Sequence, residues 1–223
     1  MVIESEHAVN EPHAHHRFQR LLASCYARPA IPMGIVYPCD TLSLHGALEA
    51  AALGLIDPVL FGPADRIRDV ASELDRSLDG ITIHPSSTAV AAAMDAAAAA
   101  KDGEVRALMK GHIHTAEMMR VFLSPPANMR IGTRMSHAFA SAAHAKHLPP
   151  AVVGRANVLI APDLEAGNLL AKELVLLADG IAAGIVLGGA APIALTSRSD
   201  GAAARVASAA LAVLLTTDAV PRA

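Results

Sequence analysis

Residues 33–53 read MGIVYPCDTLSLHGALEAAAL, and this stretch decides the fold. Met33–Tyr37 is a short apolar run with Ile35 and Val36 at its centre, the pattern of a buried strand. Pro38, Cys39 and Asp40 break it with turn chemistry. Leu42–Leu53 then repeats apolar residues at helical spacing until Gly54 stops it. Strand, polar turn and helix in that order form one βα unit.

Working outward, the unit recurs. Strands are expected at Pro58–Phe61, Ile81–His84, Val105–Met109, Arg134–Ala140, Asn157–Ala161, Ala183–Leu187 and Pro192–Thr196. Helices are expected from Pro63 onward, then at Thr88–Lys101, Thr115–Leu123, Glu165–Ala178 and Ala202–Leu215. The alanine runs in the second and last of these helices support helix, since Ala is the best helix former. Repeated βα predicts an α/β fold: a mainly parallel sheet with right-handed crossovers and helices on both faces. Residues 1–16 are polar and carry His7, His13, His15 and His16, so they read as a disordered tail, with order beginning near Phe18.

Composition narrows the function. Aromatic residues make up 3% and Trp is absent, which leaves little surface for stacking bases. The net charge is −3 with no basic stripe, so neither nucleic acid nor an anionic membrane is an expected partner. The longest apolar candidate for a bilayer span, Ile181–Leu195, is interrupted by Gly184, Gly188, Gly189 and Pro192. Cys25 and Cys39 lack metal-ligand spacing and read as reduced cytosolic thiols. No signal peptide is evident at the N-terminus. A cytoplasmic, soluble protein is expected.

The polar clusters tend to follow strands. These are Tyr37–Asp40, Lys110–Thr115, Pro162–Asn168, Gly188-Gly189 and Ser197–Asp200. In open α/β sheets ligands bind outside the carboxyl ends of strands, so five such clusters predict a pocket on one rim. Lys110, Gly111, His112, His114 and Thr115 combine a cation, a backbone-accommodating glycine and a capping residue ahead of a helix. A helix start of that kind binds anions such as phosphate, with Arg120 deeper in the helix, or it is an ordinary capped loop. Ser197-Arg198 either holds a phosphate oxygen bidentately and hydrogen-bonds a carbonyl, or is a capping serine beside a surface arginine. Asn168 and Lys172 stand one turn apart near a helix start, where Asn168 either binds ligand or satisfies backbone groups. No third ligand joins His112 and His114, so no metal is expected. Walker A, Gly-x-Gly-x-x-Gly and Gly-x-Ser-x-Gly patterns are all missing, which argues against ATPase, nicotinamide and triad-hydrolase chemistry. A decarboxylating dehydrogenase of related architecture would need a cluster of acidic metal ligands, and none is found.

Several of these stretches, taken in order, resemble the phosphate acetyl/butyryltransferase family. They are Tyr37–Leu44 with Gly46–Ala51, Leu108–Gly111 with His114-Thr115, Arg134–His137, Pro162–Asn168 with Lys172, Ala183–Gly188, and Pro192-Ile193 with Thr196–Asp200. The ordered set covers most of residues 18–217 and leans toward the butyryl branch. The resemblance implies a fold like that of isopropylmalate dehydrogenase, with two α/β domains around a cleft, usually in a homodimer. It implies conversion of a short-chain acyl-CoA and inorganic phosphate to acyl phosphate and CoA, with coenzyme A as substrate and no permanently bound cofactor or metal. It places Ser197 and Arg198 at the reaction centre and Arg120 with the 110–115 loop on the phosphate side. Asp200, the one carboxylate beside Ser197, is the candidate base. Lys110, His114, Thr115, Arg120, Arg134, Ser136, Asn168 and Lys172 are the candidate substrate- and phosphate-binding residues.

One departure stands out. After Ser136–Ala140, family members continue through a long middle segment, whereas this chain passes directly to Ser141–His147, which resembles a later family helix. An internal deletion is therefore expected, with the second domain truncated. The expected division is residues 17–140 plus 197–223 as a first α/β domain and 141–196 as a remnant of the second. A member that only binds CoA or phosphate without turnover is the alternative.

Overall fold

The computed structural model describes residues 12–129, 136–141, 163–176, 180–197 and 200–217. Within them α1 (Pro12–Cys25), β1 (Ile31–Val36), α2 (Thr41–Ala52), β2 (Ile56–Gly62), α3 (Ala64–Glu73), β3 (Thr82–Pro85) and α4 (Ala89–Asp102) follow one another. Then come β4 (Ala107–Lys110), α5 (Thr115–Leu123), β5 (Ser136–Ser141), α6 (Leu164–Leu176), β6 (Ala182–Leu187), β7 (Ile193–Ala194) and α7 (Ala202–Thr217). Local chemistry explains several boundaries. Asp40 accepts a hydrogen bond from the Ser43 N–H at 2.7 Å and caps α2. Thr88 does the same for α4 through Ala91 N–H. Gly103 ends α4 in the left-handed conformation at φ 79°, where a Cβ is strained.

The seven strands form one sheet in the order β3-β2-β1-β4-β7-β6-β5. Pairings β1–β2, β2–β3, β1–β4 and β4–β7 are parallel. Pairings β6–β7 and β5–β6 are antiparallel. The expected parallel sheet thus holds for its larger part. It reverses at β6–β7 because residues 188–192 are too few for a crossover connection. The 141–196 span, expected as a remnant of a separate domain, contributes β6 and β7 to the same sheet as β1–β4. The helix α1 starts at Pro12, inside the stretch expected as tail. The expected strand Asn157–Ala161 lies outside the described residues.

Helices cover both faces. Ile31, Met33 and Ile35 of β1 point with Ala107 and Met109 of β4 into a core closed by α1, α2, α3 and α7. Val36, Phe61 and Leu108 point the other way, into a core closed by α4 and α5. This period-two division is what a sheet buried on both faces requires. Each fully buried large aliphatic side chain contributes about 1.5–3 kcal/mol. Alanines face the sheet along α4 (Ala92, Ala93, Ala96, Ala97), and their small side chains let the helix approach closely.

Candidate functional site

Strand order changes direction at the β1–β4 boundary: β2 and β3 lie to one side of β1, β4 and β7 to the other. The crevice beyond the carboxyl ends of strands flanking such a switch is the default ligand site. The segments that follow β1, β4 and β7 meet there, held by a set of specific bonds.

Gly111 N–H donates to Val36 O at 2.9 Å, and His112 N–H donates to Tyr37 O at 2.7 Å. These bonds zip the β4 exit to the β1 exit. A Cβ on Gly111 would stand 2.7 Å from Tyr37 O and 2.8 Å from Tyr37 C, so glycine is required there. Tyr37 itself turns through φ 57°, a left-handed conformation uncommon for an aromatic residue. Asp40 uses its second oxygen on His112 Nδ1, at 2.7 Å. Burial pushes the Asp40 pKa up, but bonds from Ser43 and His112 prevail and hold it below its ordinary value. The Cys39 thiol, buried in the same turn, is pushed up to about 11.

The β7 exit closes on itself: Ser197 N–H donates to Asp200 Oδ2 at 2.6 Å. It joins the β4 exit through Arg205 of α7. Nη1 of that guanidinium donates to Lys110 O at 3.2 Å and to Thr196 Oγ1 at 2.9 Å. Burial lowers the Arg205 pKa, while the charges of Asp40 and Asp200 oppose the shift. Sequence reading passed over Arg205. The usable signal was a single charged residue in the otherwise small and apolar 202–213 stretch.

The expected site residues divide. Ser197, Asp200, Lys110, His114 and Thr115 sit on segments at this rim. Lys110 is buried at 2% exposure, with Nζ 3.4 Å from Gly111 O, so its ammonium lies beneath the loop and not on its surface. The N-cap of α5 is His114 and not Thr115, because the helical backbone already begins at Thr115; no side-chain cap bond closes its first turn. Arg120 is exposed in the last turn of α5, whose buried face is Met118, Val121 and Phe122.

Other residues fall elsewhere. Ser136 pairs with Leu187, and Val186 with Ile193, so Ser136 lies level with the amino ends of β4 and β7. The turn at Gly188-Gly189 lies on that same opposite rim, because β6 runs antiparallel. Asn168 and Lys172 are exposed on α6, which packs against β5. Arg134 and Arg198 lie outside the described residues. Among the described residues no group of three or more His, Cys, Asp or Glu is placed to hold a metal ion. No described helix is long and apolar enough to cross a membrane.

Comparison with known proteins gives the family. Residues 134–213 match a family model described as "Phosphate acetyl/butaryl transferase". A phosphate acetyltransferase of Rhizobium meliloti is 30% identical over 296 positions, covering 89% of this chain and 93% of that protein. The chain belongs to the phosphate acetyl/butyryltransferase family. That alignment is longer than the 223 residues of the chain, so the relative carries residues within the matched span that have no counterpart here. The family's two named branches are both similar: a phosphate butyryltransferase of Clostridium acetobutylicum is 39% identical over 74 residues, 33% of this chain and 25% of that protein. In three dimensions, a phosphotransacetylase from Streptococcus pyogenes superposes with a TM-score of 0.68 at 14% identity, covering 92% of this chain and 99% of that one. At that identity the likeness establishes the family's α/β fold and not its site.

Proposed function

We propose that this family member is an active phosphate acyltransferase, interconverting a short-chain acyl-CoA plus phosphate with acyl phosphate plus CoA. The observation that carries the reading is the convergence of the β1, β4 and β7 exits on one rim, through Asp40–His112 and Arg205. In the forward direction a phosphate oxygen attacks the thioester carbonyl. A C–O bond forms, the C–S bond breaks, and the CoA thiolate leaves and takes up a proton. Ser197 and Arg198 form the reaction centre, with Arg198 gripping phosphate oxygens bidentately and Ser197 donating to the acyl oxygen. Asp200 fixes the Ser197 turn through Oδ2, and its carboxylate takes the thiol proton in the reverse direction.

The first-turn N–H groups of α5, at Thr115–Glu117, supply the anion end of the site with His114 beside them. Lys110 contributes positive charge from below. Arg120 is the further phosphate ligand of this reading, and Arg134, two residues before Ser136 in the chain, drops out of it with Ser136; Asn168 and Lys172 belong to the CoA side. Ser136 has no part in it, given its place on the far rim. A homodimer in the cytoplasm, with no nucleic acid or membrane partner, completes the reading.

The test is phosphate-dependent loss of butyryl-CoA and acetyl-CoA thioester absorbance. Loss abolished by Ser197→Ala and by Arg198→Ala is expected. A rate no higher than that of these variants rejects turnover, and calorimetry with CoA then decides whether the chain only binds. Light scattering reports the dimer.

A further inference from the structure

Among the described residues, Arg205 is the largest side chain almost wholly shielded from solvent, at 2% exposure. Keeping a guanidinium out of water is costly, and an apolar residue in the same helix would avoid the cost. Its surroundings are built around it. A Cβ on Gly46 of α2 would stand 2.8 Å from Arg205 Cβ and 3.1 Å from its Cγ, so that helix carries glycine where the arginine stem passes. Gly in a helix interior is itself unfavourable. Nε has no hydrogen-bond partner among the described residues, so the side chain is not placed for its own satisfaction. Nη1 is the working end, and it reaches the last residue of β4 and the residue ahead of Ser197.

We infer that Arg205 is a positioning residue of the acyl-transfer site: its guanidinium ties the carboxyl end of β4 to that of β7 and so sets the spacing between the 111–115 loop and Ser197. The inference rests on the function proposed above. Arg205 does not touch substrate in this role. It fixes the distance between the group that holds phosphate and the group that polarises the acyl carbonyl. Errors of about 1 Å in such spacing cost up to ~10²-fold in rate.

The experiment uses Thr196→Val, Arg205→Lys, Arg205→Met and the Thr196→Val/Arg205→Met pair. It measures kcat and KM for phosphate and butyryl-CoA, corrected for folded protein by circular dichroism, and amide hydrogen exchange of segments 111–115 and 195–200. Thr196→Val removes one acceptor with little change of shape, and kcat should fall about tenfold with KM nearly constant. Arg205→Met should lose about 10²-fold, Arg205→Lys should recover part of that, and the double variant should be no worse than Arg205→Met. Exchange should quicken in both segments. Should Arg205→Met fail to fold, Thr196→Val decides alone. Wild-type kcat and wild-type exchange in Thr196→Val overturn the inference. A wild-type protein without turnover, whose two segments nevertheless exchange faster on Thr196→Val, refutes the proposed function while the tie itself stands.

Discussion

Replacing Gly111 by alanine tests the way the β1 and β4 exits are joined. The new Cβ would lie 2.7 Å from Tyr37 O and 2.8 Å from Tyr37 C, both backbone atoms that no rotamer change can move. Relief requires the two exits to separate by roughly 0.5–1 Å, which stretches the Gly111–Val36 and His112–Tyr37 bonds now at 2.9 and 2.7 Å. Overpacking of this kind costs about 1–3 kcal/mol, and each weakened bond adds up to about 1 kcal/mol. Alanine returns about 0.4–1 kcal/mol by restricting the unfolded chain. The net is a loss of about 2 kcal/mol, or about 4–8 °C in Tm for a chain of this size. Calorimetry gives the Tm, and the thioester assay gives kcat per folded molecule, which should fall together with it. Gly34→Ala is the comparison. Its Cβ meets Leu108 Cδ2 at 2.8 Å and Phe61 Cε2 at 3.1 Å, which are side-chain atoms in the sheet's interior. It should lower Tm but leave kcat per folded molecule unchanged. A Gly111→Ala protein with the wild-type Tm and kcat would show that the exits are not joined as described.

Three other perturbations probe the same rim. Asp40 carries a folded-state pKa below its ordinary 3.8, so its stabilisation is complete above that value and is lost as pH falls through the lower folded value; urea midpoints of the wild type should drop over that acid range more steeply than those of Asp40→Asn. At neutral pH, Asp40→Ala should lose about 1 kcal/mol from the α2 cap alone, read from the same titrations. Cys39, pushed up to about 11 and buried with Cys25, should react with a disulfide reagent at pH 8 far more slowly than free cysteine until urea is added, as followed by released thiolate absorbance.

Much of the architecture was legible because apolar periodicity and turn residues agree along most of the chain. Thr115–Leu123 has the expected bounds, and α2, α4 and β1 begin within a few residues of theirs. Strand direction was not legible. Nothing in Ala183–Leu187 distinguishes a parallel from an antiparallel neighbour; the five-residue link to β7 does, and its shortness was visible only once both strand ends were known. That reversal moved Gly188 to the far rim, whereas Ser136 lies there because it opens β5, which runs in the same sense as β4 and β7. The helix α1 was hidden because its first half, PHAHHRFQ, is polar and histidine-rich, while its apolar residues Leu22 and Cys25 meet partners on α7 far along the chain. At the rim, residue types marked the polar segments after β1, β4 and β7, but not the depth of their side chains. Lys110 looks like a surface cation in sequence and lies beneath the loop. Arg205 looks like a surface residue of a helix and is buried, because burial depends on Gly46, more than 150 residues earlier.

The placement of β7 has a consequence for biosynthesis. One flank of β4 stays unpaired until residues 193–194 arrive, and the groove between α1 and α2 stays open until α7 fills it. A growing chain on the ribosome therefore presents a bare strand edge and an oily furrow from the completion of β4 until β7 and α7 emerge. Chaperone demand should peak before the final helix emerges, and truncations just short of residue 193 should clump where the whole polypeptide remains dispersed.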